Sequence, residues 1–449
     1  MRTVIYFGVV LLFLAGFLRA QNNPQAAEKL ATQQIQRGDF QSAAEVIQRE
    51  LRQHSEDATL WNLLGIAETE LKQPDAAKQA FELGLQLAPN SVSLNENAGL
   101  LFFRGADYAS AKKYLRRAVE LGSFKPGVRF SLAAARLRTG EPAAALAELK
   151  SLEAVLGNAS EYWEERGRAE LLQNPGRAEA SFNRALELKP GISAALNGAA
   201  AAAEKQSLDE KALAYLIRAR NADPNNVETL AHFGEVCIRR DLGPDARDAL
   251  EKAHRLDPSN NSVLYLLARA NISLENWQTA YDLFEKLSKR TPAFAPAYYA
   301  MGWLDVKLNR TEDARRQLEK ALSLDPALTG ARYELAQLAF DDGEIDSAKT
   351  LLTEVLQQNP RDAKANMAMG DIAMHKGRLD EAQTFFEKAT HEDPKLAAAH
   401  YKLSTLYFRK HETARAEREK AIAANLNAEV SRASKTQLRL VLPETNNVH

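Results

Sequence analysis

Apolar and small residues fall at helical spacing in two consecutive segments of the stretch 295–328. The first segment places Met301 and Gly302 on one helical face, which Asp305 interrupts, and the second places Ala314 on a matching apolar face. Charged residues fill the opposite side of the second segment, as expected for a helix with one solvent-facing side. The pattern therefore predicts two helices joined by a short turn and packed face to face.

This two-helix pattern returns at intervals of about 34 residues along the chain. Proline closes many of the units, at Pro190, Pro224, Pro258, Pro292, Pro326, Pro360 and Pro394. The eighth position is always small: Ala31, Gly65, Gly99, Ala133, Gly167, Ala200, Gly234, Ala268, Gly302, Ala336, Gly370 and Ser404. The second helix repeats an alanine, at Ala43, Ala77, Ala111, Ala145, Ala178, Ala212, Ala246, Ala280, Ala314, Ala348, Ala382 and Ala414. Such a period indicates stacked two-helix units whose backbones approach closely.

Turn and stop signals support the same boundaries. Glycine occupies the turn between the two helices in several units, as at Gly38 and Gly343, which predicts a left-handed backbone there. Dipeptides such as Asp257-Pro258 end the second helix, because proline disfavours helical geometry in the residue before it. Asn or Ser just beyond can cap the next helix.

The spacing and the small residues resemble the tetratricopeptide repeat (TPR) family over residues 24–426. The resemblance implies an all-α, right-handed superhelical solenoid of about twelve helix-turn-helix repeats that binds partners rather than catalysing a reaction. The fifth repeat is one residue short near Gln173–Gly176. The twelfth is expected to lose two residues at Lys410–Thr413 and to carry Arg418 where Phe386 stands one repeat earlier.

The two ends of the chain differ from the repeats. Residues 1–20 place one arginine before an apolar run, which predicts a secretory signal peptide of an exported bacterial protein. The alternative is an anchor in the inner membrane formed by residues 4–18, although this run is short for a membrane span. Residues 427–442 are expected to form a separate capping helix and residues 443–449 a disordered tail.

Composition narrows the class of partner. The formal net charge is −1, which gives no indication of nucleic-acid binding, so membrane contact is expected only through an uncleaved amino-terminal segment. Cys237 is the only cysteine and falls on an apolar stripe, where a buried core residue is expected. No metal, phosphate or nucleophile motif has the required spacing, so we expect no cofactor and no enzymatic activity.

The candidate binding residues lie at the fifth and ninth positions of the first helices. The resemblance implies that first helices line the concave surface where a protein or peptide partner lies. In the carboxy-terminal half these positions are rich in tyrosine and tryptophan, which suit extended peptides. The candidates are Tyr265, Arg269, Tyr299, Trp303, Tyr333, Gln337 and Tyr401.

Alternatives remain open from the sequence. The tyrosines can serve packing between repeats alone, in which case the partner binds the polar first half or the convex face. The family's carboxylate-clamp subtype, with lysine at the fifth position and asparagine at the ninth, has no match in any unit. The expected function is a non-catalytic scaffold of the cell envelope or exterior, periplasmic or secreted. An accessory subunit of an exopolysaccharide, secretion or other envelope assembly machine is the competing hypothesis, and a stand-alone enzyme is disfavoured.

Overall fold

A computed structural model of the protein describes residues 24–440, with side chains described for residues 25–429. The predicted signal peptide, membrane anchor and disordered tail lie outside this range. Within it the chain forms 24 helices and no strand, which confirms the predicted all-α repeat fold. The helices pair into twelve consecutive hairpins, numbered here as repeats 1 to 12. The chain divides into two compact units, at the boundary between Ala222 and Asp223.

Unit 1 contains repeats 1 to 6. Its helices are α1 (Pro24–Gln36), α2 (Phe40–Leu51), α3 (Ala58–Glu70), α4 (Pro74–Leu87), α5 (Val92–Arg104), α6 (Tyr108–Glu120), α7 (Pro126–Arg138), α8 (Pro142–Leu156), α9 (Ser160–Glu170), α10 (Pro175–Leu188), α11 (Ser193–Lys205) and α12 (Asp209–Ala222). Within this unit, each helix packs against its neighbours in the chain, and the first helices of successive repeats also contact one another. The short fifth repeat has a first helix of 11 residues, α9, against 13 in most others.

Unit 2 contains repeats 7 to 12. Its helices are α13 (Val227–Arg239), α14 (Gly243–Leu256), α15 (Asn261–Ser273), α16 (Trp277–Arg290), α17 (Ala295–Lys307), α18 (Thr311–Leu324), α19 (Thr329–Asp341), α20 (Ile345–Gln358), α21 (Ala363–His375), α22 (Leu379–Glu392), α23 (Ala397–Arg409) and α24 (Thr413–Leu440). Successive first helices contact one another in this unit as well, with one exception. Between α15 and α17 no two Cα atoms lie within 8 Å of each other.

The turn between the two helices of a repeat has a left-handed residue in eleven of the twelve repeats. Glycine supplies it at Gly38, Gly140, Gly343 and Gly377, as predicted, with φ between 69° and 80°. Other residues adopt φ between 55° and 60° at the same position: Lys72, Ala106, Ser207, Asp241, Glu275, Asn309 and His411. The exception is repeat 5, where the missing residue shortens this turn. The left-handed geometry of the turn is therefore a property of the hairpin, and glycine only lowers its conformational free energy.

Glycine at the eighth position is required by the packing of the second helix. A Cβ atom at Gly65 would lie 2.4 Å from the ring of Phe81, and one at Gly302 would lie 2.6 Å from Leu318 Cγ. The main partner of the small residue is thus this large side chain, while Ala314 contributes its backbone oxygen at 3.1 Å. The sequence predicted the close approach correctly but named only the alanine as its partner.

Polar side chains at the fourth position tie several first helices to the connector before them. Each contacts the carbonyl oxygen six residues earlier, at 2.8 to 3.3 Å. The pairs are Trp61 with Ser55, Asn95 with Pro89, Trp163 with Gly157, Asn366 with Pro360, and His400 with Pro394. These contacts satisfy a connector carbonyl that the helices leave without a partner.

Two expectations about repeat 12 are wrong. The helices α23 and α24 are joined by a turn of the same length as that between α17 and α18, so no residues are lost at 410–413. His411 takes the left-handed conformation and keeps the register without a glycine. The buried alanine of the series is therefore Ala416, which is 0% exposed, while Ala414 is exposed. Lys420, not Arg418, stands one repeat after Phe386, and its side chain is exposed.

The predicted capping helix at 427–442 is not a separate element. Helix α24 continues unbroken from Thr413 to Leu440, so this segment extends the second helix of repeat 12. The physical reason is the absence of a stop signal, since neither proline nor glycine follows Ala421 before Leu440. None of the helices in residues 24–440 is long and apolar enough to cross a membrane.

Candidate protein-binding surface

The seven candidate residues lie on four first helices of unit 2. Tyr265 and Arg269 are on α15, Tyr299 and Trp303 on α17, Tyr333 and Gln337 on α19, and Tyr401 on α23. We call this set the aromatic ladder. Its rings are partly buried in repeats 8 to 10, whereas Tyr401 is 61% exposed.

The first ladder residue, Tyr265 on α15, is held by ring-to-ring contacts. Tyr265 meets Phe284 of α16 and Phe294 of the following connector edge to face, with ring centroids 5.8 and 5.9 Å apart. The guanidinium of Arg269 lies over the Tyr265 ring, 5.8 Å from its centroid. Phe294, which directly precedes α17, is 38% exposed.

Trp303 is fixed by a second tryptophan. The rings of Trp303 and Trp277, the first residue of α16, meet edge to face with centroids 5.6 Å apart. The ammonium of Lys307 lies 5.1 Å from the centroid of the Trp303 ring, in cation–π geometry. The indole is therefore held in one orientation by groups from two helices.

Tyr299 rests on a glycine of the next repeat. A Cβ atom at Gly330 would lie 2.9 Å from Tyr299 Oη and 3.0 Å from its Cζ. The tyrosine ring thus occupies the space that a side chain at Gly330 would need. Contacts between repeats therefore position the rings of Tyr299 and Trp303, in line with the alternative hypothesis, but these contacts do not engage the polar atoms of the two side chains in hydrogen bonds.

The polar atoms of the ladder have no hydrogen-bond partner among the residues that the structure describes. This holds for the hydroxyl groups of the four tyrosines, the indole nitrogen of Trp303, the guanidinium of Arg269 and the amide of Gln337. Surface tyrosine hydroxyls often bond to water, so this arrangement is stable in solvent. It leaves a strip of fixed rings whose hydrogen-bonding capacity is available to a ligand.

Carboxylates beside the ladder influence its tyrosines. Burial raises the pKa of Tyr299, and the charge of Glu334 raises it further. Burial, with added effects from Glu334 and Asp371, raises the pKa of Tyr333 to about 12. Both hydroxyls therefore stay protonated and can donate a hydrogen bond at any physiological pH.

The carboxylates themselves lie next to lysines. Burial raises the pKa of Glu334, against the opposing charges of Lys364 and Lys307. Burial also raises the pKa of Asp371, although Lys402 Nζ lies 2.9 Å from its Oδ1 and favours the charged form. Charges of both signs are thus interspersed along this strip.

The corresponding positions of unit 1 have a different character. Their polar groups bond to one another or to neighbouring side chains. Asn62 Oδ1 accepts a hydrogen bond from Asn97 Nδ2 at 2.9 Å, and buried Glu96 accepts from Ser123 Oγ at 2.5 Å and from Lys125 Nζ at 2.7 Å. Glu164, the fifth position of repeat 5, is paired with Arg168 at 3.6 Å. At these three positions the polar groups are engaged by neighbouring side chains.

Clefts occur on both units. One of about 350 Å³ lies beside the ladder and is lined by Glu235, Leu266, Phe294, Tyr265 and Arg269, among others. Its lining is mostly apolar, and Arg269 supplies the cation at its wall.

Two larger clefts, of about 570 and 560 Å³, lie on unit 1. Their walls carry charged residues, several of which are already ion-paired. Arg104 is near Glu70, and Arg116 and Arg117 share Glu120. We therefore regard the ladder, and not these two larger clefts, as the candidate site.

Sequence reasoning missed three residues that shape the site. Gly330 and Trp277 belong to positions outside the ladder pattern, and Glu334 is adjacent to it. The only sequence signal for the role of Glu334 is that it directly follows Tyr333. Cys237 is fully buried, as predicted. Within the described part of the chain no group of three or more His, Cys, Asp or Glu side chains could hold a metal ion.

Twelve consecutive helical hairpins that recur about every 34 residues, with a small residue at the eighth position of each repeat, define an α-helical repeat protein. The chain belongs to the tetratricopeptide repeat family. The family model described as tetratricopeptide repeat matches residues 28–92, 97–155, 299–348 and 333–397. Repeats of this family indicate a protein–protein interaction scaffold and are generally non-catalytic.

Several solved structures are similar to the chain. YrrB, described as a TPR protein with an unusual peptide-binding site, is 20% identical over 42% of this chain and 97% of its own, with a TM-score of 0.38. The Cut9–Hcn1 heterotetramer of APC/C is 14% identical over 95% of this chain and 91% of its own (TM-score 0.46). A tetratricopeptide repeat protein from Parabacteroides merdae is 20% identical over 55% and 98% (TM-score 0.47). No curated protein sequence matches the chain at a significant level.

Proposed function

We propose that the protein is an exported scaffold that holds an extended segment of a partner protein on the aromatic ladder of unit 2. The observation that carries this proposal is the set of ladder rings, partly buried in repeats 8 to 10, whose hydroxyl and indole groups lack hydrogen-bond partners among the described residues, as does the amide of Gln337. Large amphipathic rings supply contact area at low entropic cost. Main-chain groups of an extended segment can fill the vacant hydrogen-bonding positions.

The location of the partner follows from the amino-terminal residues. The apolar run at 4–18 behind a single arginine supports export, either by cleavage of residues 1–20 or by retention of an anchor. A partner should therefore be sought in the cell envelope or the medium. The alternative, an accessory subunit of an envelope assembly machine, predicts the same surface but partners from one defined complex.

A crosslinking pull-down from native envelope extract tests the proposal. The triple variant Tyr299→Ala, Trp303→Ala, Tyr333→Ala removes the central rings and should lose the main partner. The matched control is Tyr298→Ala, which removes a partly buried tyrosine from another face of the same helix α17. Both variants must first show native helicity by circular dichroism.

The outcomes are distinct. Partners that are lost with the triple variant and retained with Tyr298→Ala support the ladder as the binding surface. Partners that the triple variant retains would show that the rings serve packing alone. In that case the binding surface must lie on unit 1 or on the second helices.

A further inference from the structure

The hydrogen-bonding groups that the ladder leaves vacant are mainly donors. The indole of Trp303 and the guanidinium of Arg269 can only donate, and the hydroxyls of Tyr299 and Tyr333 keep their protons. The only carboxylate at a ladder-type position of repeats 8 to 12 is Asp371, and Lys402 engages it at 2.9 Å. A ligand suited to this strip therefore presents acceptors and few donors.

The charges beside the strip do not select a strongly charged ligand. Glu334 lies under the influence of Lys307 and Lys364, and Asp371 is paired with Lys402. Arg269 packs its guanidinium over the Tyr265 ring. An acidic segment would meet Glu334 and a basic one would meet the lysines, so neither gains from the whole length of the strip.

The apolar part of the strip consists of flat ring faces. Phe284 and Phe294 contact the Tyr265 ring. The Tyr299 ring lies against Gly330, and the Trp303 ring meets Trp277. The Tyr333 ring is partly buried against the apolar core of repeats 10 and 11. Rigid rings of this kind favour ligands that have flat, rigid apolar faces of their own. Proline has such a face, and it lacks a backbone N–H while keeping its carbonyl oxygen.

On these grounds we infer that the ladder recognises a proline-rich segment in the polyproline II conformation, whose carbonyl oxygens accept from Trp303, Tyr299 and Tyr333. Polyproline II segments have no internal hydrogen bonds, so every carbonyl is available to the ladder. They are also pre-ordered, which reduces the entropy lost on binding to an aromatic surface. This inference rests on the proposed function, because it specifies the ligand of the same surface.

Fluorescence anisotropy with three labelled peptides of equal length tests the inference on the purified chain. The probes are dodecaproline, a Gly-Ser peptide and a proline-free Glu-Ala peptide. Dodecaproline should bind at least about tenfold more tightly than the Gly-Ser peptide, since preorganisation and ring contacts both favour it. The double variant Tyr299→Phe, Tyr333→Phe keeps the rings and should weaken dodecaproline binding about fivefold for each hydroxyl removed.

A variant outside the ladder controls for indirect effects. Tyr298→Phe removes a hydroxyl from the same helix and should leave dodecaproline binding unchanged. Equal affinity for dodecaproline and the Gly-Ser peptide would overturn the inference, as would tighter binding of the Glu-Ala peptide. Binding of dodecaproline that is unchanged in the double Phe variant would also overturn it.

Failure here is separable from failure of the proposed function. If dodecaproline does not bind but the triple alanine variant still loses its cellular partner, the ladder is a binding surface for a segment of other chemistry. If the partner is retained as well, both proposals fail.

Discussion

Asp305 is a buried carboxylic acid on the face where α17 packs against its neighbours. It is 0% exposed, and neither carboxylate oxygen has a hydrogen-bond partner among the described residues. Arg310 Nη1 is the nearest cation, 3.7 Å from Oδ1. Burial raises the pKa of Asp305 to about 6, with a further contribution from the charge of Asp313. The sequence marked this residue as the one that interrupts an apolar stripe.

A raised pKa makes repeat 9 less stable as the pH increases. The folded state binds the proton more tightly than the unfolded state, so the stabilisation is fully present below about pH 4 and is lost as the pH rises through about 6. The variant Asp305→Asn removes the charge and should stabilise the repeat at pH 7.5 by about 1 kcal/mol or more, since a buried carboxylate without a hydrogen-bond partner among the described residues is costly.

Hydrogen exchange of the α17 and α18 amides at pH 5 and pH 7.5, corrected for intrinsic rates, measures this effect. Protection in the wild type should be lower at pH 7.5 than at pH 5, and this decrease should be smaller in Asp305→Asn. The variant Asp341→Asn, at an exposed carboxylate, serves as control. A pH dependence that is the same in all three proteins would contradict the assignment.

At the scale of the element, the hairpin was predictable because its signals are local. The start of each first helix, from Pro24 to Ala397, agrees with the repeat boundaries derived from the period. The Asp-Pro and Asn-Pro stops were also correct, since α14 ends at Leu256, directly before Asp257. A helix boundary needs only the preference of a few consecutive residues.

The errors at this scale came where such signals were absent or indirect. In repeat 12 a left-handed histidine replaces glycine, and two alanines lie near the expected position, of which Ala416 and not Ala414 is buried. Helix α24 contains no stop signal near residue 427, so the boundary predicted there does not exist. Contacts at the fourth position depend on side chains reaching a connector six residues away, which no period reveals.

The close contact within each hairpin gives an element-scale prediction. Ala314 is 0% exposed on α18, and its backbone oxygen lies in the contact made by Gly302. The variant Ala314→Leu should overpack this contact and cost roughly 1 to 3 kcal/mol. Because each repeat contacts mainly its neighbours, exchange should accelerate around repeat 9 before global unfolding.

Hydrogen exchange resolved by repeat measures this change. The matched control is Glu319→Leu, which places the same side chain on the exposed face of the same helix. Acceleration confined to repeats 8 to 10 of the alanine variant agrees with the prediction. Equal acceleration over every described repeat would show that the repeats unfold as one cooperative body.

At the scale of the whole molecule, each of the two units is a stack of six hairpins, and their first-helix faces differ in chemistry. In unit 1, Asn62, Glu96 and Glu164 at the fifth positions bond to neighbouring side chains, whereas the ladder side chains of unit 2 have no hydrogen-bond partner among the described residues. The sequence located the ladder from residue type and period. It could not show that the hydroxyls lack partners, because that depends on every neighbouring side chain.

Site-specific photocrosslinking in the native host tests the central claim most directly. A photoreactive phenylalanine analogue at Tyr401, which is 61% exposed, should perturb the fold little and should crosslink to the partner held by the ladder. The same analogue at Phe124, which is 82% exposed and belongs to unit 1, is the control. The account predicts a specific adduct from position 401 and none from position 124. An adduct from position 124 alone, or from neither position, would contradict binding at the ladder.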